Sequence, residues 1–91
     1  MRVGEGTVAA AIPAALLADL REAFAREVDA RLPHLRDITD LEAAQRDAHT
    51  LASAAWVIGE PAIAALARAV ESGLPGGPVA ELVEALEGYV A

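Results

Sequence analysis

Residues 39–59, TDLEAAQRDAHTLASAAWVIG, contain the clearest helical pattern of the chain. Apolar residues recur in it every three or four positions, which predicts a helix with one buried side. That predicted buried stripe consists of Leu41, Ala44, Ala48, Leu51, Ala55 and Ile58. Thr39 and Glu42 have the spacing of a capping box, and Gly59 is a typical left-handed stop. We therefore predict a helix from about Thr39 to Ile58.

Amphipathic segments flank this helix on both sides. Pro13 suits a first helical turn, and an apolar stripe follows it with helical spacing. The stripe consists of Leu16, Leu17, Leu20, Phe24, Val28 and Leu32. Because Pro33 lacks a backbone donor, we expect this first helix to kink or end near Arg31. Leu35 and Ile38 indicate that it resumes briefly.

Two shorter helices are predicted after Gly59. Pro61 begins one that Gly73 closes, and residues 74–78, with two prolines and two glycines, form a loop. The last helix runs from about Pro78 to Val90. Four amphipathic helices joined by short connections predict an all-α fold, an antiparallel up-down-up-down four-helix bundle. We predict a single domain over residues 1–91, with residues 1–11 as an N-terminal arm.

Composition excludes several classes of function. The net charge of −7 and the pI near 4.6 argue against binding to nucleic acid or to anionic membranes, which need a basic patch. The chain has no cysteine, and no His/Asp/Glu set has metal-ligand spacing, so no metal site is predicted. No glycine-rich loop follows a strand, so no nucleotide site is predicted either. We expect a cytoplasmic protein, and the use of arginine without lysine suggests a GC-rich bacterial genome.

The polar side of the helix over residues 39–58 carries the candidate chemistry. At about 100° per residue, helical spacing puts seven residues on one face of this helix. They are Glu42, Gln45, Arg46, His49, Ser53, Trp56 and Glu60. His49 should project from the bundle surface, where a neutral imidazole can act as a nucleophile. His34, near the end of the first helix, is predicted to be an ordinary surface residue.

Each of these residues also has a simpler interpretation. Periodicity alone fits His49 as an ordinary exposed histidine. Arg46 has the i, i+4 spacing to pair with Glu42, and it could equally supply positive charge to His49. Trp56 could cover its own helix or anchor a partner protein.

The pattern His49, Leu51 and Gly59, with small residues at Ala54 and Ala55, resembles the signature of histidine phosphotransfer (HPt) domains. The resemblance covers about residues 16–72. It implies that His49 accepts a phosphoryl group from a receiver aspartyl phosphate or a hybrid histidine kinase and passes it to a response regulator. It also implies that the domain has no kinase or ATP site and no cofactor of its own, with Mg²⁺ on the partner receiver. We expect the domain to be monomeric.

The chain departs from the family pattern just after the histidine. The family usually has Lys and Gly where this chain has Ala52 and Ser53. Ser53 is small and can donate a hydrogen bond, but the positive charge of the Lys is missing. Arg46, one turn before His49, is a candidate replacement. Gln45 completes the surroundings of the phosphosite.

Partner binding is predicted on the same face. Trp56 is the candidate docking contact for a receiver domain, and Glu42 and Glu60 are further candidate partner-binding residues on this face.

Two other functions fit the same residues. Without the usual Lys, the domain could be a non-catalytic module that docks a receiver or histidine kinase and regulates or scaffolds it. It could also be a plain helical dimerisation domain. An independent hydrolase or metalloenzyme fits least, because one exposed histidine has no positioned partners in the sequence.

Overall fold

The computed structural model of the chain describes residues 11–91. Within them it has four helices: α1 Ala14–Arg36, α2 Leu41–Val57, α3 Pro61–Gly73 and α4 Val79–Val90. The predicted all-α fold and its four helices are confirmed. The predicted N-terminal arm falls almost entirely on residues 1–10, which lie outside the described residues.

The helices pack in a ring, in which α1 contacts α2 and α4, and α3 contacts the same two helices. Side-chain contacts fit antiparallel neighbours. Arg21 near the start of α1 reaches the carbonyl of Ile58 after α2, whereas Arg31 near the end of α1 reaches Asp47 in the first half of α2. The contacting residue numbers increase along α1 while they decrease along α2, so the two helices run in opposite directions, as neighbours do in an up-down-up-down bundle.

Large side chains from all four helices fill the centre of the bundle, and alanines are frequent among the buried residues of α2 and α3. The largest fully buried side chains are Phe24, Val28, Leu35, Leu51, Val70, Leu82 and Leu86. The buried residues of α2 and α3 are mostly alanines: Ala44, Ala48, Ala52, Ala55, Ala64 and Ala67. Because alanine adds little bulk, these two helices can approach each other closely.

Of the two outcomes expected at Pro33, a kink or an end near Arg31, the end does not occur: the first helix continues to Arg36 and includes Leu35, where a resumption was expected. An interior proline costs a helix about 3 kcal/mol. Leu32 and Leu35 flank Pro33 and are both buried, and each contributes about 1.5–3 kcal/mol through that burial. Hydrophobic burial on both sides of the proline therefore outweighs the missing hydrogen bond.

The expected burial of Leu16 is also wrong, because this side chain is half exposed. The bond from Arg21 to Ile58 puts Arg21 level with the end of α2. Leu16 lies more than one turn before Arg21, so the first turn of the longer α1 extends past α2.

Two details at the start of α2 differ from the prediction. The N-cap is Asp40 rather than Thr39, and the Asp40 carboxylate accepts a hydrogen bond from the backbone N–H of Ala43 at 3.2 Å. Aspartate is as effective an N-cap as threonine, and it lies one residue nearer the helix. Leu41 is exposed although it continues the apolar stripe, because it lies beyond the last residue of α1 in the α1–α2 register.

The turn between α2 and α3 follows the prediction. Gly59 has a φ of 79°, a left-handed conformation that glycine adopts without steric cost. The backbone N–H of Glu60 bonds to the carbonyl of Ala55 at 2.9 Å, which closes the end of α2. Pro61 then begins α3.

Asp47 is a buried carboxylate that the periodicity did not reveal. Its side chain is 8% exposed. Its two oxygens accept from Arg31 at 2.6 Å and contact His34 Nδ1 at 3.0 Å, and Arg31 also binds Glu27. Since a buried carboxylate without partners would be costly, these contacts tie α2 to α1. His34 is exposed, as predicted, but it has this specific partner.

Replacing Asp47 by alanine should lower the free energy of unfolding by about 1–3 kcal/mol, because two charge-assisted hydrogen bonds are lost. Arg31 and His34 can reach water in the variant, which keeps the cost within that range. Urea denaturation followed by circular dichroism measures the change. Asp29→Ala, at an exposed position of α1, is the matched control, and an equal loss in both variants would contradict the role of Asp47.

Tyr89 packs edge-on against Phe24, with ring centroids 5.1 Å apart and an interplanar angle of 81°. Burial raises the pKa of Tyr89, and the Glu60 carboxylate raises it further, while Arg21 lowers it. The folded protein therefore holds the phenolic proton more tightly than the unfolded chain. By linkage, this contributes stability that is fully present below pH about 10 and is lost as the pH rises through the folded-state pKa.

We expect Tyr89→Phe to reduce the loss of stability on the alkaline side. The chain has one tyrosine, no lysine and no cysteine, so no other side chain titrates between pH about 9 and 11. Urea unfolding across that pH range measures the effect. An alkaline loss of the same size in both proteins would show that Tyr89 does not cause it.

Candidate functional site

An open groove runs along the surface between α2 and α3. The α2 side is formed by the polar face predicted from the sequence, and α3 contributes a second wall. The lining residues are Glu42, Gln45, Arg46, His49, Thr50, Ala52 and Ser53 from α2, and Arg68, Glu71 and Ser72 from α3. The groove therefore contains the predicted phosphosite residues together with a set from α3 that the sequence reasoning did not identify.

His49 lies in the middle of α2 with its side chain 67% exposed. Its Nδ1 lies 2.9 Å from Oε2 of Glu71, which is in the last turn of α3. A carboxylate can only accept, so Nδ1 donates and carries the ring proton. No group of residues 11–91 makes a hydrogen bond to Nε2, so this nitrogen keeps its lone pair free for reaction.

Gln45 lies one turn before His49 on α2 and also contacts Glu71. Its side-chain amide donates to the backbone carbonyl of Glu71 at 3.4 Å, a long and weak bond. Glu71 thus contacts α2 at two points, through its side chain to His49 and through its backbone to Gln45. These contacts define how α3 lies along this part of α2.

Arg46 does not contact the imidazole. Its guanidinium lies 3.9 Å from the Glu42 carboxylate, and both side chains are largely exposed. An exposed pair at that distance contributes little to stability, so Arg46 is held only weakly. The i, i+4 pairing is therefore present, and Arg46 still lines the groove beside His49.

Trp56 is 38% exposed, and Arg68 lies over it. The guanidinium carbon of Arg68 is 5.8 Å from the centroid of the indole ring, within range of a cation–π interaction. The sequence suggested either that Trp56 covers its own helix or that it is free for a partner. In the structure its ring is bound by a cation from the neighbouring helix.

The remaining predicted residues take different positions. Ala52 is only 2% exposed and lies at the base of the groove, whereas Ser53 is exposed on its α2 side. Glu60 precedes α3 and is not among the residues that line the groove. The groove has two more hydroxyls, from Thr50 and Ser72, and the Ser72 hydroxyl donates to the carbonyl of Arg68 at 2.9 Å.

Glu71 and Arg68 are the important residues that sequence reasoning missed. A signal existed, because Arg68, Glu71 and Ser72 have i, i+3 and i+4 spacing on α3 and so share one helix face. Nothing in that spacing shows that this face adjoins His49. Their role depends on the rotation of α3 against α2.

The local charge of the groove differs from that of the whole chain. Two carboxylates, Glu42 and Glu71, are matched by two guanidinium groups, Arg46 and Arg68, although the net charge of the chain is −7. An anionic group can therefore enter here without the repulsion that the overall charge would suggest.

Residues 11–91 lack two further features. In that part of the chain, no cluster of three His, Cys, Asp or Glu side chains could hold a metal ion. None of its helices is long and apolar enough to cross a membrane.

Removing the Glu71 carboxylate should change the tautomer of His49. In the wild type the proton should lie on Nδ1, and in Glu71→Ala both ring nitrogens should share it, because the acceptor is gone. Nitrogen-15 NMR of the imidazoles measures this, with His34 as internal reference and Glu84→Ala as control. Unchanged His49 signals in Glu71→Ala would show that Glu71 does not orient the ring.

Comparison with known proteins identifies the family of this bundle. The family model described as "Hpt domain" matches residues 15–91, which include all four helices and both walls of the groove. Comparisons with curated proteins and with solved structures gave no match. Since the family model covers most of the chain, the chain belongs to the Hpt domain family, the phosphotransfer modules of two-component signalling.

Proposed function

We propose that His49 accepts a phosphoryl group from a receiver aspartyl phosphate or from a histidine kinase, and that the domain then passes it to a response regulator. The observation that carries the proposal is the 2.9 Å contact between His49 Nδ1 and Glu71 Oε2. It uses one ring nitrogen as a donor and leaves Nε2 as the nucleophile. The exposure of the side chain lets the active site of a partner approach it.

In the proposed step, the lone pair of Nε2 attacks the phosphorus of the donor in line with the bond to its leaving oxygen. An N–P bond forms while the P–O bond of the aspartyl phosphate breaks, and the electron pair stays on the donor carboxylate. The ring keeps its Nδ1 proton and becomes positively charged, and the Glu71 carboxylate offsets that charge. Transfer onward reverses the step, with an aspartate of the second receiver attacking the phosphorus.

Only part of the catalytic apparatus belongs to this chain. Its own residues orient the imidazole and leave room for the phosphoryl group beside the small Ser53 side chain. The receiver supplies the attacking or leaving aspartate together with its Mg²⁺. We also propose that the domain is cytoplasmic and monomeric, and that it binds receiver domains and a histidine kinase.

Docking is proposed on the exposed face around His49. Trp56 lies two turns after His49 on α2, and Glu42 lies two turns before it. An aromatic side chain on the surface is a typical anchor of protein interfaces. Glu60 would extend this surface past the end of α2.

A second candidate function is a non-catalytic module that docks the same partners. It is favoured by Ala52, which is buried at the position where the family usually has a lysine. Without that charge, a domain could bind a receiver and regulate or scaffold it without accepting the phosphoryl group.

Transfer of labelled phosphate from the phosphorylated receivers of the source organism separates these functions. We expect acid-labile, alkali-stable label on the wild type and on His34→Gln, and none on His49→Gln. The label should be on Nε2, because Nδ1 is engaged by Glu71. Label on His49→Gln would contradict the assignment of His49, and receiver binding without any label would establish the docking module instead.

A further inference from the structure

Arg68 is the arginine of the groove that no carboxylate of residues 11–91 engages. The ion pairs within residues 11–91 involve Arg31, Arg36, Arg46 and the two histidines, and Arg68 forms none of them. Its guanidinium lies over the Trp56 ring, at 5.8 Å from the centroid. A positive charge that lines the groove without an anionic partner is available to an incoming anion.

We propose that Arg68 is the residue that binds the phosphoryl group on His49, and that its guanidinium leaves the Trp56 ring to do so. The proposal rests on the proposed function, since it requires a phosphoryl group on His49. It adds a residue from outside the histidine motif and links the phosphorylation state to the exposure of Trp56.

The position of Arg68 brings it within reach of His49. Arg68 lies one turn before Glu71 on α3, and residues with that spacing have Cβ atoms about 5–6 Å apart. Glu71 already contacts His49 Nδ1. A side chain as long as arginine, one turn away on the same groove wall, can therefore extend to oxygens attached to Nε2.

Arg68 lies on the side of His49 that faces Trp56. On that side, α2 itself provides no positively charged residue next to the histidine. Ala52 and Ser53 follow His49 in the direction of Trp56, and neither carries a charge. Arg68 crosses from α3 at this end, because it contacts Trp56 and lines the groove together with Ser53. A guanidinium here can supply the charge that a lysine at position 52 would otherwise provide.

The difference between the two interactions gives the direction of the movement. A cation–π contact on a partly exposed ring is weak. Charge-assisted hydrogen bonds from a guanidinium to a phosphoryl dianion are stronger and can be bidentate. Arg68 should therefore rest on Trp56 when His49 is free and move to the phosphoryl group when it is present.

Movement of Arg68 would change the proposed docking surface. When the guanidinium leaves the ring, water or a partner can contact the indole face that Arg68 covered. A partner that docks on Trp56 would then meet different surfaces before and after phosphorylation.

The experiment uses the full chain and phosphoramidate as a small-molecule phosphoryl donor. The Nε2–P bond forms as the P–N bond of phosphoramidate breaks, and ammonia leaves after taking a proton from water. Intact mass measures the phosphohistidine and its decay, while fluorescence reports Trp56, the single tryptophan of the chain. Arg68→Ala is the test variant, Arg68→Lys is the conservative rescue, and Arg26→Ala, exposed on α1, is the matched control.

We expect phosphorylation to shift the Trp56 emission to longer wavelength in the wild type and in Arg26→Ala, and not in Arg68→Ala. The phosphohistidine of Arg68→Ala should decay roughly ten- to a hundredfold faster, the range that one charge-assisted hydrogen bond represents. Arg68→Lys should recover most of the lifetime. Circular dichroism of each variant establishes that the bundle is folded.

Several results would overturn the proposal. Equal lifetimes and equal emission shifts in Arg68→Ala and the wild type would refute it while leaving His49 as the acceptor. A larger loss of lifetime in Arg46→Ala than in Arg68→Ala would assign the phosphoryl-binding role to Arg46. If neither phosphoramidate nor any phosphorylated receiver labels the folded wild type, the proposed function fails, and the role of Arg68 fails with it.

Discussion

The close contact between α2 and α3 is the constraint on which the site depends. Most of the buried residues of these two helices are alanines, and Ala48, Ala52, Ala55 and Ala67 are almost completely buried. Small side chains let the axes of two helices lie close together. The side chain of a glutamate on α3 can then span the distance to a histidine on α2. The contact between His49 and Glu71 is a consequence of that packing.

The opposite side of α2 is held just as firmly. Asp47 lies two residues before His49, and side chains with that spacing point about 200° apart around a helix. Asp47 binds Arg31 and His34 of α1, while His49 binds Glu71 of α3. Contacts on both sides therefore resist rotation of α2 about its axis, and a reactive group on such a helix is held in a defined orientation.

The groove divides its charged side chains between two tasks. Glu71 contacts the ring, and in the proposed function it offsets the positive charge that develops there, while Arg68 binds the phosphoryl oxygens. The two kinds of charge lie on both walls of the groove, so the proposed phosphosite requires both helices. A chain with a net charge of −7 can in this way still present a local site for an anionic group.

The four helices and the exposed face of α2 could be predicted from residue order alone, because the spacing of apolar residues reports which side of a helix is buried. Gly59 was predicted as a left-handed helix stop, whereas His49 was singled out by the resemblance to the HPt signature, because its spacing alone also fits an ordinary exposed histidine. The capping prediction was wrong at Thr39, because the adjacent Asp40 caps the helix instead, and the burial prediction was wrong at Leu41, because the register between α1 and α2 leaves it exposed. Only the tertiary structure decided that Asp47 is buried and that Glu71 and Arg68 adjoin His49. Those contacts depend on how one helix is rotated and shifted against its neighbour, and residue spacing within a single helix does not specify that relation.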